Sequence, residues 1–298
     1  MTSIWVTGAG GFIGSHLVAY LKSRGHAVAV IGGRAGRGEP RTGSEMLSMQ
    51  SLDRLAALAG PPTVVHHLAG GSSVGASLAD PHGDFKRTVA SSAALLEWLR
   101  LNAPDAGLVA ASSAAVYGGG HDGPIPPTAA LNPFSPYGFH KRVMELLGTS
   151  YAHGFGLPVA IVRLFSVYGG GLRKQLLWDL CRKLATDGRA VLGGTGDELR
   201  DWTEVGDVVR FLDLAAERVS DSAPVFNGAT GKATSVREIA RYVTDAFNLS
   251  ADAVRFSGAQ RPGDPFALVA LPDPAFQPSV SVAQGIAAYV AWYRAVEL

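Results

Sequence analysis

The sequence predicts an α/β fold built on a doubly wound parallel sheet, and three observations carry that expectation. Short apolar or β-rich runs alternate with helix-periodic segments through the first half of the chain. The runs Ala27-Val28-Ala29-Val30-Ile31, Thr63-Val64-Val65 and Leu108-Val109-Ala110-Ala111 are apolar without alternation, as strands covered on both faces are. A glycine cluster joins the first strand-like run to the first helical one.

Ile4-Trp5-Val6-Thr7 is the first predicted strand. Phe12, Ile13, Leu17, Val18 and Leu21 then recur at helical spacing, and Gly25 supplies a stop. The second strand is Ala27–Ile31. A helix is predicted from about Asp84 to Leu101, between the runs at Thr63 and Leu108, and Pro158–Leu164 is a further strand. Beyond residue 165, prolines and short segments dominate, and Pro224-Val225-Phe226-Asn227 is expected to return one strand to the first sheet.

The 298 residues are 47% apolar and 17% charged, and 26 basic against 25 acidic side chains leave a net charge of +1. No basic excess points to nucleic acid or acidic lipid. A single cysteine, Cys181, excludes a disulfide framework and a cysteine-based zinc cluster, so no metal site is expected. The N-terminus lacks a basic n-region, and no run of about 18 apolar residues exists. A cytoplasmic protein is expected.

The glycine cluster reads Thr7-Gly8-Ala9-Gly10-Gly11-Phe12-Ile13-Gly14. Gly8 permits a tight turn, Gly11 lets the backbone approach a pyrophosphate, and Gly14 lets the helix pack close to the sheet. The anion would rest at the helix N-terminus, on the turn containing Phe12 and Ile13. Residues 1–165 are therefore expected to form a Rossmann-type dinucleotide-binding domain. Residues 166–298 are expected to form a smaller mixed substrate lobe, with a segment near 206–232 returning to the first domain. The second strand ends Ile31-Gly32-Gly33-Arg34-Ala35-Gly36-Arg37 with no acid to hold a ribose 2′-hydroxyl. Arg34 and Arg37 suit a 2′-phosphate, so NADP(H) is preferred and NAD(H) possible; solvated loop charge is the competing reading of both arginines.

Ser135-Pro136-Tyr137-Gly138-Phe139-His140-Lys141 carries the chemistry. Ser135 suits an N-cap and Pro136 the first helical position, which puts Tyr137 and Lys141 four apart on one face. An ammonium beside a phenol, with an oxidised nicotinamide, lowers the phenol pKa toward neutrality. Ser112 and Ser113 end the strand at Leu108–Ala111; adjacent strand residues face opposite ways, so at most one meets a ligand.

Together, TGxxGxxG at the N-terminus, His67-Leu68-Ala69-Gly70, Ser112–Gly118 and the Tyr137/Lys141 pair resemble the extended short-chain dehydrogenase/reductase family of nucleotide-sugar epimerases, dehydratases and 4-keto reductases. The likeness continues through Arg163–Gly169, Arg200-Asp201-Trp202 and Arg261–Asp264. The resemblance implies that Tyr137 is the acid/base and that Lys141 holds the nicotinamide ribose. It assigns the sugar oxygen at C4 to Ser113, lines the cofactor with Leu68 and Ala69, and places Arg200 and Arg261 on the nucleotide diphosphate. Ser166 stands in the substrate site where many relatives carry Asn, and Thr88 likewise replaces Asn. The dehydratases' Asp-Glu pair is Ala114-Ala115 here, so water elimination is not expected. A homodimer is implied, with Leu95, Leu96, Leu99, Val143, Met144 and Leu147 as candidate contacts. The arginines favour reduction of the C4 ketone of a nucleotide-linked 4-keto-6-deoxyhexose; a 4-epimerase with tightly bound NAD is the alternative, and a non-catalytic NADP-binding regulator the third reading.

Overall fold

A computed structural model of the chain describes residues 3–31, 41–42, 47–259 and 265–298. In chain order the first elements are β1 (Ser3–Thr7), α1 (Phe12–Ser23), β2 (Ala27–Ile31), β3 (Arg41–Thr42), α2 (Met49–Ala59) and β4 (Val64–His67). Next come α3 (Val74–Ala79), α4 (Pro81–Phe85), a π-turn (Lys86–Ala90), α5 (Ser91–Asn102), β5 (Gly107–Ser113), α6 (Pro136–Phe155) and β6 (Val159–Leu164). The chain continues through β7 (Ser166–Tyr168), α7 (Gln175–Asp187), β8 (Ala190–Leu192), β9 (Leu199–Glu204), α8 (Val205–Ala216) and β10 (Val225–Gly228). It ends with β11 (Ala233–Ser235), α9 (Val236–Phe247), β12 (Val254–Phe256), β13 (Ala267–Leu268) and α10 (Val282–Glu297).

Two compact units result. The first comprises Met1–Gly118, Ala130–Leu164 and Val209–Gly228. Its seven-stranded sheet has the order β10-β6-β5-β4-β1-β2-β3, and every pairing is parallel. The direction of winding reverses at β1, which lies between β2 and β4, so the carboxyl ends of β1 and β4 form the switch point where such sheets hold ligands. Thr7 and His67 stand opposite each other there. One face of the sheet packs Trp5, Ala29, Val65, Leu108 and Ile161 against Leu52, Leu55, Leu95, Trp98 and Leu99 of α2 and α5.

The second unit comprises Gly119–Ala129, Phe165–Val208 and Ala229–Leu298. β9 is its hub, pairing with β11, β13 and β7, while β12 pairs with β8 separately. Asp201, fully buried on β9, accepts from the Thr230 amide and hydroxyl, the Gly231 amide and the Ala270 amide. One carboxylate thus organises two loops.

The helix predicted from Asp84 is three segments: α4, a π-turn and α5. The Ser91 N–H reaches back five residues to the Lys86 carbonyl, an inserted residue that apolar periodicity does not reveal.

His66 is a cost in this sheet. It is fully buried, flanked in register by Val6 and Val109, and neither ring nitrogen has a hydrogen-bond partner among the described residues. Burial pulls its pKa from 6.5 down to about 4, with a smaller push from His26. The unfolded chain therefore takes up a proton that the folded chain refuses. Stability is intact above pH 6.5 and falls as the pH drops toward 4, by about 3 kcal/mol from this group. His66→Leu is expected to raise stability at pH 7 by about 1–3 kcal/mol and to remove this share of the acid sensitivity. Urea unfolding at pH 7 and pH 5 checks both.

Candidate active site

The glycine turn is dictated by crowding. Gly8 has φ +68°, and a Cβ there would lie 2.8 Å from the Ala69 nitrogen and the Leu68 carbonyl carbon. At Gly14 a Cβ would lie 2.2 Å from the Gly8 oxygen; at Gly11, 3.1 Å. Among the described residues no side chain caps α1, whose first residues are Phe12, Ile13 and Gly14. An uncapped helix N-terminus behind a turn with no room for side chains fits a dinucleotide pyrophosphate. Leu68 and Ala69 follow β4 against this turn. Their amides are already spent, on the Thr7 carbonyl (3.2 Å) and the Thr7 hydroxyl (3.1 Å), so their carbonyls are what they can offer.

Ser135 caps α6, accepting from the Gly138 amide, with Pro136 at the first position. Gly138 was not singled out by sequence reading. A Cβ there would lie 2.6 Å from the Ala115 carbonyl oxygen, so a glycine is needed for α6 to press against the segment after β5. Tyr137 and Ser113 come together in that arrangement. Burial pushes the Tyr137 phenol above its usual value, the nearby Ser113 opposes this, and the charge of Asp84 adds to it.

The two adjacent serines face opposite ways. Ser112 is buried and donates to Glu145 Oε1 at 2.5 Å, and Arg163 grips the same carboxylate through Nε at 2.9 Å and a terminal nitrogen at 2.7 Å. Arg163 also lies 4.8 Å above the Tyr117 ring, whose hydroxyl donates to Asn227. Glu145 is four residues beyond Lys141, so this network locks the α6 face that presents Lys141. Lys141 itself is 4% exposed, and its Nζ donates to the Ala111 carbonyl at 2.8 Å. Burial lowers its pKa to about 8, against the opposing charges of Asp84 and Glu145. The lowering of the Tyr137 pKa expected from Lys141 does not arise among the protein groups alone.

Asp84 and His140 were also missed. Asp84 is fully buried on α4; its Oδ2 lies 2.6 Å from His140 Nδ1, while Oδ1 has no hydrogen-bond partner among the described residues. The position of Asp84 one residue from Phe85 gave no sequence signal, although His140 preceding Lys141 did place a second titratable group near the pair.

Ser113, Tyr137, Lys141, the glycine turn, Leu68 and Ala69 all belong to the first unit. Ser166 and Arg200 belong to the second, on β7 and β9, where Arg200 donates to the Leu199 and Phe266 carbonyls. Arg34, Arg37 and Arg261 lie outside the described residues. Among the described residues no cluster of His, Cys, Asp and Glu is placed to hold a metal, and no helix is long and apolar enough to cross a membrane.

The model of the NAD dependent epimerase/dehydratase family matches residues 4–228. The chain belongs to that family. A probable UDP-glucuronate 4-epimerase of Rhizobium meliloti is 28% identical over 97% of this chain and 96% of its own. A dTDP-glucose 4,6-dehydratase of Streptomyces griseus is 30% identical over 98% and 94%. Among solved structures, the Thermus thermophilus UDP-glucose 4-epimerase in complex with NAD covers 99% of this chain and 100% of its own, at 28% identity and TM-score 0.88. The chain is thus an enzyme of the NAD-dependent epimerase/dehydratase type on a parallel Rossmann-like sheet.

The candidate dimer contacts need correction. Leu95, Leu96, Leu99 and Met144 are at most 2% exposed, and Leu147 packs against the unit's own core. The large apolar residues of α6 left outside are Phe139, Val143 and Leu146, at 51%, 37% and 60% exposure, and Phe155 at the helix end. Leu95, Leu96 and Leu99 lie on α5, whereas Met144 and Leu147 share α6 with the exposed set, and only packing separated buried from exposed.

Proposed function

We propose that the enzyme is an NAD-dependent nucleotide-sugar 4-epimerase. The observation that carries the reading is the Ser113–Tyr137–Lys141 group with Ala114 and Ala115 beside it: one proton can be exchanged at one oxygen, and the two methyl side chains offer neither acid nor base for water elimination. The full-length likeness to UDP-sugar 4-epimerases supports epimerisation over the ketoreductase reading. That second reading rests on Arg34 and Arg37 in the sequence and would use NADPH.

The dinucleotide would lie along Gly8–Gly14 and Leu68–Ala69 and would supply reversible hydride acceptance. Tyr137 Oη takes the proton of the C4 hydroxyl as that carbon is oxidised and returns it to the ketone oxygen. Ser113 donates to the same oxygen. The buried Lys141 ammonium would hold the cofactor ribose and favour the phenolate. Purified enzyme is expected to release NAD on denaturation and to interconvert UDP-glucose or UDP-glucuronate with its C4 epimer without added cofactor. NADPH-dependent reduction of a 4-keto sugar, with no epimerisation, would replace this reading with the ketoreductase.

The stripe Phe139, Val143 and Leu146 on α6, with Phe85 of α4 also exposed, supports a dimer of two copies. Sedimentation should show a dimer, and Val143→Glu with Leu146→Glu a monomer of unchanged fold.

A further inference from the structure

His67 lies at the end of β4, fully buried, with a hydrogen bond at each ring nitrogen. Its protonation follows from counting donors around it. At the start of α5 the hydroxyls of Ser91 and Ser92 donate to backbone carbonyls of the π-turn, Ser91 to Arg87 and Ser92 to Thr88, the latter at 2.5 Å. A carbonyl carries no proton, so the one proton of Ser92 is on that bond. Ser92 Oγ, 2.9 Å from His67 Nε2, can then only accept, and Nε2 carries the ring proton. His67 is neutral: burial first, and the charge of Lys141 second, bring its pKa to about 3. Nδ1 is therefore bare and accepts the Thr7 hydroxyl at 2.8 Å. Thr7 Oγ1 in turn accepts the Ala69 amide.

The chain of donors runs one way, from the Ala69 amide through Thr7, His67 and Ser92 to the Thr88 carbonyl. The Thr88 hydroxyl accepts the Gly71 amide at 2.8 Å, so both ends of the Leu68–Gly71 loop are tied to the same relay. With the other tautomer, Nε2 and Ser92 Oγ would face each other 2.9 Å apart with no proton between them, an unpaired buried contact. The loop it anchors has little room to move, because its backbone would lie 2.8 Å from a Cβ on Gly8, and the Lys141 Nζ lies 3.3 Å from one on Gly70.

We propose that His67 is a positioning residue of the dinucleotide site: locked as the neutral Nε2–H tautomer by Ser92 at the start of α5, it holds Thr7 and the Leu68–Gly71 loop in the arrangement that the cofactor lies on. This rests on the reading of the glycine turn and Leu68–Ala69 as the cradle. The test is long-range proton–nitrogen NMR of histidine-labelled full-length enzyme, with NADH and NADPH titrations of nucleotide-stripped protein. The wild type should show only the Nε2–H tautomer at pH 7, and Ser92→Ala a mixture. His67→Leu should weaken dinucleotide binding at least tenfold, about the loss of one buried hydrogen-bond partner. His67→Asn, whose amide oxygen can take the place of Nδ1, should restore most of it. Should His67→Leu fail to fold, Ser92→Ala and His67→Asn still decide, since Ser92→Ala should weaken binding and His67→Asn should keep it. An Nδ1–H tautomer or an imidazolium in the wild type overturns the proposal, as does undiminished binding in His67→Leu or Ser92→Ala. Wild-type protein that binds neither dinucleotide overturns the cradle itself, and the positioning role with it.

Discussion

Tyr137→Phe is expected to turn over about 10²–10⁴-fold more slowly than the wild type, the usual contribution of a positioned general acid or base. Cofactor content should be unchanged. The ring still packs at the start of α6, and the substitution removes only the hydroxyl that meets Ser113. Lys141→Met should lose both turnover and cofactor affinity, because one buried ammonium serves both. The two variants separate proton transfer from binding: the first changes kcat with bound NAD intact, the second empties the site. Release of bound nucleotide on denaturation, measured beside the epimerisation rate, reads the difference. A Phe variant with wild-type turnover would remove Tyr137 from the proton-transfer step. Burial and Asp84 both push the phenol up; on the proposed reading the Lys141 ammonium and a bound, oxidised dinucleotide would together bring it down, which would couple binding to activation.

Arg163→Met is expected to destabilise the first unit by about 3–5 kcal/mol, the usual cost of stranding one member of a buried ion pair. Arg163 and Glu145 are 4% and 5% exposed, so water cannot replace the lost partner. The Glu145 carboxylate would keep the Ser112 hydroxyl, at 2.5 Å, and lose its charge partner. The double substitution Glu145→Leu with Arg163→Met should recover most of the loss, since two apolar side chains leave no buried charge. Urea unfolding of the three variants measures this. If the double variant were no more stable than the single one, packing against Tyr117 rather than charge would be the dominant contribution of Arg163.

The parallel strands were legible because strands buried on both faces carry apolar runs: all of β2, β5 up to Ala111 and β6 up to Val162. β4 ran further than its apolar residues suggested, since His66 and His67 extend it. The π-turn was not legible: one inserted residue inside an unbroken helix changes register without changing composition. The correction to the dimer contacts has the same origin. Leu95, Leu96 and Leu99 recur at helical spacing, which shows that α5 has an apolar face but not whether its own core or a second copy covers that face.

The sequence by itself determined the sheet class, the glycine turn between β1 and α1, and the Tyr137/Lys141 pair on one helical face. Each is local, fixed by spacing within about two helical turns or by the absence of a Cβ. Only tertiary structure decided which of Ser112 and Ser113 meets Tyr137. The answer depends on Glu145 and Arg163, which approach the end of β5 from α6 and β6 and claim Ser112. It also decided which proton His67 carries, because that is set by Thr7, Ser92 and Thr88 from three separate elements. A hydrogen bond between distant residues leaves no periodicity in the chain; its direction exists only once the fold has brought donor and acceptor together.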